Sequence, residues 1–405
     1  MLNSGAKYVI IKADTLSYGY RSYGGQRMRF LHTGDLHLDS SFCASDTFTA
    51  DARRDEQRRT FGRIFELARA EGCRMVLIAG DLFDSRYVTP ETERYVTDVF
   101  AKANIPVVIA PGNHDPYVNG SFYKSGRLPE NVYVFSSSEL QRFDFPELSA
   151  SVYGYAFTSS ALTSSPLAGV SADGGGMNIK LLCAHADLSA PISRYCPLTA
   201  GDISGLGITY AALGHIHNRD EDDSAGGSVI RYCGFAEGRS FDELGDGGVY
   251  IVDCEPDGEV NYRRFAVSGE RYDIRELDLS GCCEREEIVG KIKREAEDVS
   301  ANKNTHLRLL LTGSVEAEEL PDLSELARAL TGGRLLSLDI RDMTVPVADI
   351  SSLRADPSLR GELYRALYSG LVSDDPDTRE KTALALQIGL AAIDGRRISG
   401  GKESL

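Results

Sequence analysis

Short apolar runs alternate with polar turns over the first two thirds of the chain. Ten runs predict strands, and several are continuously apolar, as expected for strands buried on both faces. The ten are residues 29–32, 75–78, 107–109, 132–135, 152–157, 179–183, 210–213, 229–232, 249–252 and 260–265. Apolar residues at helical spacing fall within 51–71, and Thr89 before Pro90 is typical of a helix start. Strand–helix–strand alternation followed by consecutive strands predicts a layered α/β sandwich.

The pattern changes near residue 268. One alternating strand at 271–279 precedes a helix, a strand, a helix and a strand at 284–298, 307–311, 323–330 and 335–340. This order predicts a small α/β domain at 276–345, after a main domain at 28–275. Two helices at 357–372 and 376–393 predict a helical region at 346–405.

Residues 1–27 precede the first convincing strand. They are rich in Gly, Tyr and Ser towards residue 27, and their apolar stretch is too short for a signal peptide. We therefore expect an N-terminal extension, with a start codon assigned too early as one explanation. The alternative is an additional edge strand at 8–12.

Composition narrows the class of protein. With 405 residues, 42% hydrophobic and 26% charged, the chain does not match a disordered, fibrous or small disulfide-rich protein. No apolar run approaches the eighteen or so residues of a membrane span. The eight cysteines include no CxxC pair, which favours free thiols and a cytoplasmic location. The net charge of -16 repels polyanions, so nucleic-acid binding would need a basic patch, bound metal ions or a partner.

Candidate chemistry is concentrated in five short clusters, each directly after an apolar run. In chain order they are Gly34-Asp35-Leu36-His37, Gly80-Asp81-Leu82-Phe83-Asp84, Gly112-Asn113-His114-Asp115, Ala184-His185-Ala186-Asp187 and Gly214-His215-Ile216-His217. Loops beyond the carboxyl ends of strands form the ligand crevice of open α/β sheets, so five such loops can converge. One such Asp or His alone is more often a turn residue or a structural group.

The donor types indicate a metal centre. Carboxylate, imidazole and amide donors without thiolate favour Mn²⁺, Fe²⁺ or Zn²⁺ over a structural cysteine zinc site. Seven candidate ligands are too many for one ion, and they suit two ions that share a bridging carboxylate.

The ordered motifs D-x-H, GD-x-x-D, GNHD, H and GH-x-H resemble the calcineurin-like metallophosphoesterase superfamily. The segments HTGDLHL, GDLFD and GRSFDELGDGGVY are similar to its DNA-repair nuclease branch, typified by SbcD, and HLDS at 37–40 is similar to the YhaO group of exonucleases. The motif match covers 29–253, over half the chain. It implies a four-layer αββα metallophosphoesterase sandwich, with the small α/β domain as a cap and the C-terminal helices as a partner-binding region.

The resemblance also implies roles for individual residues. Asp35, His37 and His217 would hold one metal ion, while Asn113, His185 and His215 would hold the other. Asp81 would bridge the two ions, which in this family are expected to be Mn²⁺, with Fe²⁺ or Zn²⁺ compatible with the ligands. His114 would be the catalytic histidine that binds no metal. Asp84 would assist it, in place of a His found in some relatives, and Arg239 and Arg194 are candidates for substrate contacts.

Three functions follow from this pattern. The first is a metal-dependent DNA exonuclease or endonuclease in DNA repair, and the second is a phosphomonoesterase or small-molecule phosphodiesterase on the same site. The third is a non-catalytic adaptor. The resemblance implies DNA and an SMC-like ABC ATPase as partners, and it is compatible with a homodimer. Leu359, Leu363, Leu367 and Leu371 form one apolar stripe, and Ala383, Leu384, Ile388 and Ala391 form another. Such stripes either dock on the coiled coil of that ATPase or pack within the chain.

Overall fold

A computed structural model of the chain describes residues 9–12, 27–42, 47–85, 87–170, 177–188, 191–217, 223–255, 257–316, 319–346, 350–393 and 395. Its contacts divide the chain into two compact units, Met1–Arg271 and Tyr272–Leu405. The first unit contains every cluster of candidate ligands.

The first unit alternates strands and helices. Its elements are β1 (Val9–Lys12), β2 (Met28–Thr33), α1 (Thr47–Ala70), β3 (Val76–Ile78), α2 (Pro90–Ala103), β4 (Val107–Ile109), β5 (Val132–Val134), β6 (Gln141–Phe145), β7 (Ala150–Gly154), β8 (Ile179–His185), α3 (Ala200–Gly205), β9 (Tyr210–Gly214), β10 (Asp223–Ala225), β11 (Ser228–Tyr232), β12 (Gly245–Cys254) and β13 (Val260–Asp278). Two 3₁₀ turns lie at Phe122–Lys124 and Pro146–Leu148. The strand β13 begins in this unit and ends in the next.

These strands form two sheets. One has the order β1-β6-β7-β8-β9-β11-β10, and the other places β13, β12, β2, β3, β4 and β5 side by side. Neighbouring strands β2, β3, β4 and β5 are parallel, as are β7, β8, β9 and β11. Carboxyl ends of parallel neighbours lie at the same edge of a sheet, so the loops after them can share a crevice.

Three cores hold this unit in layers. The first joins the two sheets, with Phe30 and Leu77 from one packing with Leu181 and Tyr210 from the other. The second packs α1 and α2 on the sheet of β2, and the third packs α3 on the sheet of β8. Helix, sheet, sheet and helix therefore follow one another, which confirms the four-layer α/β sandwich.

The second unit is smaller. Its elements are the end of β13, α4 (Arg285–Ser300), β14 (Asn304–Thr312), β15 (Ser314–Val315), α5 (Leu323–Leu330), β16 (Leu335–Asp342), β17 (Val345–Pro346), α6 (Ile350–Ala355), α7 (Leu359–Leu371) and α8 (Pro376–Ile393). Leu307, Leu309 and Leu311 on β14 pack against Ile288 and Ile292 on α4. A separate cluster joins α6, α7 and α8 through Leu353, Tyr364, Leu386 and Leu390.

The structure assigns a strand to part of the predicted extension. Val9–Lys12 pairs in parallel with Gln141–Phe145, which corresponds to the alternative edge strand. The rest of the segment before Arg27 lies outside the described residues. No helix in the described part of the chain has the length and apolar character needed to cross a bilayer.

Candidate metal centre

Each predicted ligand lies at or just beyond the end of a strand. Asp35 and His37 follow β2, Asp81 follows β3, Asn113 follows β4, His185 ends β8, and His215 and His217 follow β9. The first three strands belong to one sheet and the last two to the other. Because the inter-sheet core joins these sheets, their strand ends bring all seven side chains to one place.

Three of these ligands form one end of the site. The His217 Nε2 lies 3.8 Å from Asp35 Oδ1, and the imidazole rings of His37 and His217 have centroids 5.2 Å apart. One donor atom from each of these three residues lies within 4.8 Å of the other two. This grouping matches the ligand set predicted for one metal ion.

The remaining ligands form the other end. His185 Nε2 lies 2.9 Å from Asn113 Oδ1, and the rings of His185 and His215 have centroids 5.1 Å apart. Asp81 Oδ2 lies 3.4 Å from His185 Nε2 and 3.7 Å from His37 Nε2. The carboxylate of Asp81 therefore faces both groups, as the predicted bridging ligand must.

The donor set fits divalent cations. Asp35, His37, Asp81 and His185 are all buried. The Nε2 of His37 forms no hydrogen bond with any group in the described part of the chain, whereas its Nδ1 has a close contact with Asp84. A buried polar atom without a partner is costly, and a metal ion at Nε2 would remove that cost. The clustered carboxylates would likewise gain from cations between them.

Backbone conformation at the ligands is unusual. Asp35, His37, Asp81 and His215 all have positive φ, at 47°, 44°, 46° and 105°. Non-glycine residues rarely adopt this conformation, which costs of order 1–3 kcal/mol and clusters at functional sites. Main-chain bonds hold the loops in place, since His37 N–H donates to the Asp81 carbonyl at 2.9 Å.

Glycines allow the loops to approach this closely. A Cβ on Gly112 would collide with the carboxylate of Asp81, and a Cβ on Gly80 would collide with the His185 ring. The glycine that precedes a ligand in the sequence clusters therefore has a steric reason.

Electrostatics favours metal-binding protonation states at His37, His215 and Asp81, whereas the pKa of His217 is raised because Asp35 and Glu243 outweigh its burial. Burial lowers the pKa of His37, and burial with the neighbouring His185 lowers the pKa of His215 to about 4. Burial opposes ionisation of Asp81, but His185 and His37 outweigh it and lower the pKa of that carboxyl. Neutral imidazoles and ionised carboxylates are the forms that ligate metals.

His114 lies at the rim of the site, where one of its ring nitrogens is within 4.8 Å of donor atoms of His37 and Asp81. Its side chain is 44% exposed, and its ring centroid is 4.8 Å from that of His37. Its Nδ1 lies 3.0 Å from the main-chain carbonyl of Asp84, which requires a proton on Nδ1. The other ring nitrogen, Nε2, is then the one that faces a reaction partner.

Asp84 and Arg239 meet at the same edge of the site. Arg239 Nη1 lies 3.3 Å from Asp84 Oδ1, and that carboxylate lies 3.2 Å from His37 Nδ1 and 3.9 Å from His114 Nδ1. Asp84 thus approaches His114 through its carbonyl and His37 through its side chain. The Arg239 guanidinium also binds Glu243, a residue not singled out in the sequence.

Asp115 and Arg194 differ in burial, and each lies next to the candidate site in sequence or in space. Asp115 is buried and accepts hydrogen bonds from the Gly112 and Phe83 amides and the Tyr123 hydroxyl, so it fixes the GNHD loop. Burial and the Asp81 charge raise the pKa of Asp115 to about 8. Arg194 is exposed, and the ring of its neighbour Tyr195 lies 4.8 Å from that of His215.

Comparisons with known proteins agree with this geometry. Residues 28–220 match the family model described as calcineurin-like phosphoesterase. The uncharacterized metallophosphoesterase YhaO of Bacillus subtilis is 32% identical over 248 residues, which cover 58% of this chain and 59% of YhaO.

Two more distant relatives match over a longer stretch. The DNA double-strand break repair protein Mre11 of Sulfolobus acidocaldarius is 24% identical, covering 71% of this chain and 76% of its own length. The SbcD component of the nuclease SbcCD of Staphylococcus epidermidis is 22% identical, covering 70% of this chain and 79% of its own length.

Proposed function

Residues 28–220 form a domain of the calcineurin-like phosphoesterase family, and on that premise we propose that the chain is a DNA nuclease of the dinuclear-metal type. It would act as an exonuclease or endonuclease in DNA repair. The observation that carries this proposal is the convergence of seven metal donors around Asp81, with the exposed His114 beside them.

The candidate ligand residues would form two metal-binding sites. Asp35, His37 and His217 would hold one cation, Asn113, His185 and His215 would hold the second, and Asp81 would contribute to both. Such cations would supply charge neutralisation for a phosphate and a lowered pKa for a nucleophilic water. Mn²⁺ is the ion that the family resemblance leads us to expect, and oxygen and imidazole donors without thiolate would also accept Fe²⁺ or Zn²⁺.

His114 would serve the leaving group. With Nδ1–H donated to the Asp84 carbonyl, protonated His114 presents Nε2–H outward from the rim of the site. That proton can pass to the sugar oxygen as the P–O bond breaks, or stabilise the charge that develops on it.

DNA as substrate is supported by the relatives, which include a double-strand break repair protein and a component of a nuclease. The exposed Arg194 beside Tyr195 offers one phosphate contact near the site. The net charge of -16 favours the second candidate, a phosphodiesterase or phosphomonoesterase of small molecules.

We also propose an ATPase partner that contributes to DNA binding. The SbcCD relative is by its name one part of a larger nuclease. In α7 and α8, Leu359 is 67% exposed, Leu384 is 54% exposed and Ile388 is 39% exposed. The proposed occupant of these apolar positions is the coiled coil of an SMC-like ABC ATPase.

The test uses His114→Ala on DNA with defined ends in the presence of Mn²⁺, Mg²⁺ or a chelator. We expect wild type to cleave only with metal, and the variant to lose about 10²- to 10⁴-fold in rate while keeping its metal content. Asn119→Ala, an exposed residue of the same loop, is the control.

Two outcomes would count against the nuclease, and one would count against the role of His114. Intact DNA together with rapid hydrolysis of an aryl phosphate would favour the small-molecule enzyme. Unchanged turnover by His114→Ala would remove the catalytic role of this residue. Intact DNA and intact aryl phosphate, with metal bound, would favour the non-catalytic adaptor.

A further inference from the structure

We propose that Glu243 is a positioning residue for one metal ion of the pair, acting on His217 directly and on His37 through Arg239 and Asp84. The inference rests on the proposed dinuclear site and adds to it a selective role for a carboxylate that binds no metal. Glu243 is buried, and it lies near the start of β12 within the segment 238–250.

The contact with His217 fixes the orientation of that ring. Glu243 Oε1 lies 2.7 Å from His217 Nδ1, so Nδ1 must carry the proton and donate it. The unprotonated Nε2 then faces Asp35 Oδ1, 3.8 Å away. A metal-bound histidine commonly donates its other N–H to a carboxylate, and this partner fixes both the tautomer and the ring plane.

Arg239 Nη2 also approaches the same nitrogen, at 3.4 Å. A guanidinium can only donate, so it would bind Nδ1 only if that nitrogen were unprotonated. The carboxylate is closer than the guanidinium, and its negative charge attracts the hydrogen of the Nδ1–H group. The Glu243 contact therefore decides the tautomer of His217.

Arg239 extends the arrangement to the second histidine. Its main-chain N–H donates to Glu243 Oε2 at 2.8 Å, and its Nη2 donates to Glu243 Oε1 at 2.7 Å. Its Nη1 reaches Asp84 Oδ1 at 3.3 Å. One cation thus joins two carboxylates, and most of its guanidinium is committed to them rather than to a substrate phosphate.

Asp84 completes the connection. The oxygen that receives Arg239 lies 3.2 Å from His37 Nδ1, which leaves Nε2 of His37 facing Asp81 at 3.7 Å. His37 and His217 are two of the three ligands predicted for one ion. The same partly buried ionic network therefore contacts both of them, through a hydrogen bond to His217 and a close ionic contact with His37.

The other ion has a different support. His185 Nδ1 lies 3.1 Å from the main-chain carbonyl of Ala79, so the backbone fixes that ring. Glu237 is a buried carboxylate close to Glu243 in sequence. It accepts hydrogen bonds from Thr60 and from the Gly269 and Glu270 amides, so it stabilises the fold and contacts none of the candidate ligands through these bonds. Loss of the Glu243 carboxylate should therefore affect one ion selectively.

The experiment titrates metal-free full-length protein with Mn²⁺ and follows free Mn²⁺ by electron paramagnetic resonance. We expect wild type to bind two ions. In Glu243→Gln, one site should keep its affinity and the other should weaken 10- to 100-fold, the usual effect of removing the partner of a metal-bound histidine. Asp242→Asn, on the same turn, should bind like wild type.

Thermal unfolding of the metal-free variants separates positioning from folding. An unchanged midpoint with one weakened site supports the inference. Unchanged affinity at both sites, or equal weakening of both with a lowered midpoint, would overturn it. Wild type that binds two ions but leaves DNA intact would refute the proposed nuclease and leave this inference standing. Wild type that binds no Mn²⁺ would refute both the proposed nuclease and this inference.

Discussion

At the scale of single residues, His32 shows how burial can couple protonation to folding. It lies in β2, fully buried, with Nδ1 2.9 Å from the Tyr210 hydroxyl and Nε2 3.2 Å from the Leu213 carbonyl. The carbonyl requires Nε2–H, so Nδ1 accepts from Tyr210 and the ring is neutral. Burial lowers the pKa of His32 to about 3, against a smaller opposing effect of the Leu213 bond.

This residue should make the protein acid-sensitive. Because the folded pKa lies below that of the unfolded chain, the unfolded state binds more protons as pH falls through 6.5. Between pH 7.5 and pH 5, wild type should lose about 2 kcal/mol more unfolding free energy than His32→Gln. Urea unfolding of both metal-free proteins at the two pH values measures this difference. Equal losses would contradict the assigned protonation.

Predictability at this scale depends on how rare a residue is. The candidate ligands could be selected from the sequence because the chain has only seven histidines, and five of them follow apolar runs within short clusters. Glu243 could not be selected from the sequence, because it is one of 60 acidic residues and no regular spacing relates it to His217. The segment GRSFDELGDGGVY contains it, but only the three-dimensional contact at 2.7 Å reveals its partner.

At the scale of elements, buried apolar runs were predicted well and polar edges were not. β3, β4 and β9 match their predictions closely, as does α5. β6 was missed, because Gln-Arg-Phe-Asp-Phe carries two charges and lies near the edge of its sheet. The strands predicted at 260–265 and 271–279 are one strand, β13, which continues without a break through the Ser-Gly-Glu segment at which the sequence pattern changes.

The helical stripes divide into a packed part and an exposed part. Leu363, Leu367 and Leu371 pack on the cluster formed by α6, α7 and α8, while Leu359 of the same stripe is exposed. In α8, Leu384 and Ile388 are exposed, and the side chains of Ala383 and Ala391 lie outside the described residues. The structure is therefore compatible with both interpretations, packing within the chain and docking on a partner.

The double substitution of Leu384→Asp with Ile388→Asp tests docking on α8. Because both side chains are exposed, we expect the helix to fold normally and basal nuclease activity to persist. Co-purification with the proposed ATPase should fall to background. Ala385→Asp adds a charge to an exposed position of the same helix and should leave the complex intact. Undiminished co-purification by the double variant would argue that the partner binds elsewhere.

At the scale of the whole molecule, the charge of -16 sets how DNA can be held. Phosphate contacts release counterions, so affinity for DNA falls steeply with salt while a small ester is little affected. If the enzyme contacts two phosphates, the KM for DNA should rise about tenfold between 50 and 200 mM salt. The KM for bis(p-nitrophenyl) phosphate should stay constant over that range. A KM for DNA that does not change with salt concentration would argue against contacts with the phosphate backbone of DNA.

The hydrogen bonds from the His215 amide to the Asp35 carboxylate, at 2.8 and 3.1 Å, join positions 180 residues apart in sequence. During synthesis the ribosome delivers Asp35 and His37 long before His215 and His217 exist. Binding of two metal ions at the proposed site would therefore wait until both sheets have been translated and have come together. A half-made chain has only local donors, so uptake of both ions would mark completion of the first unit rather than an early folding step.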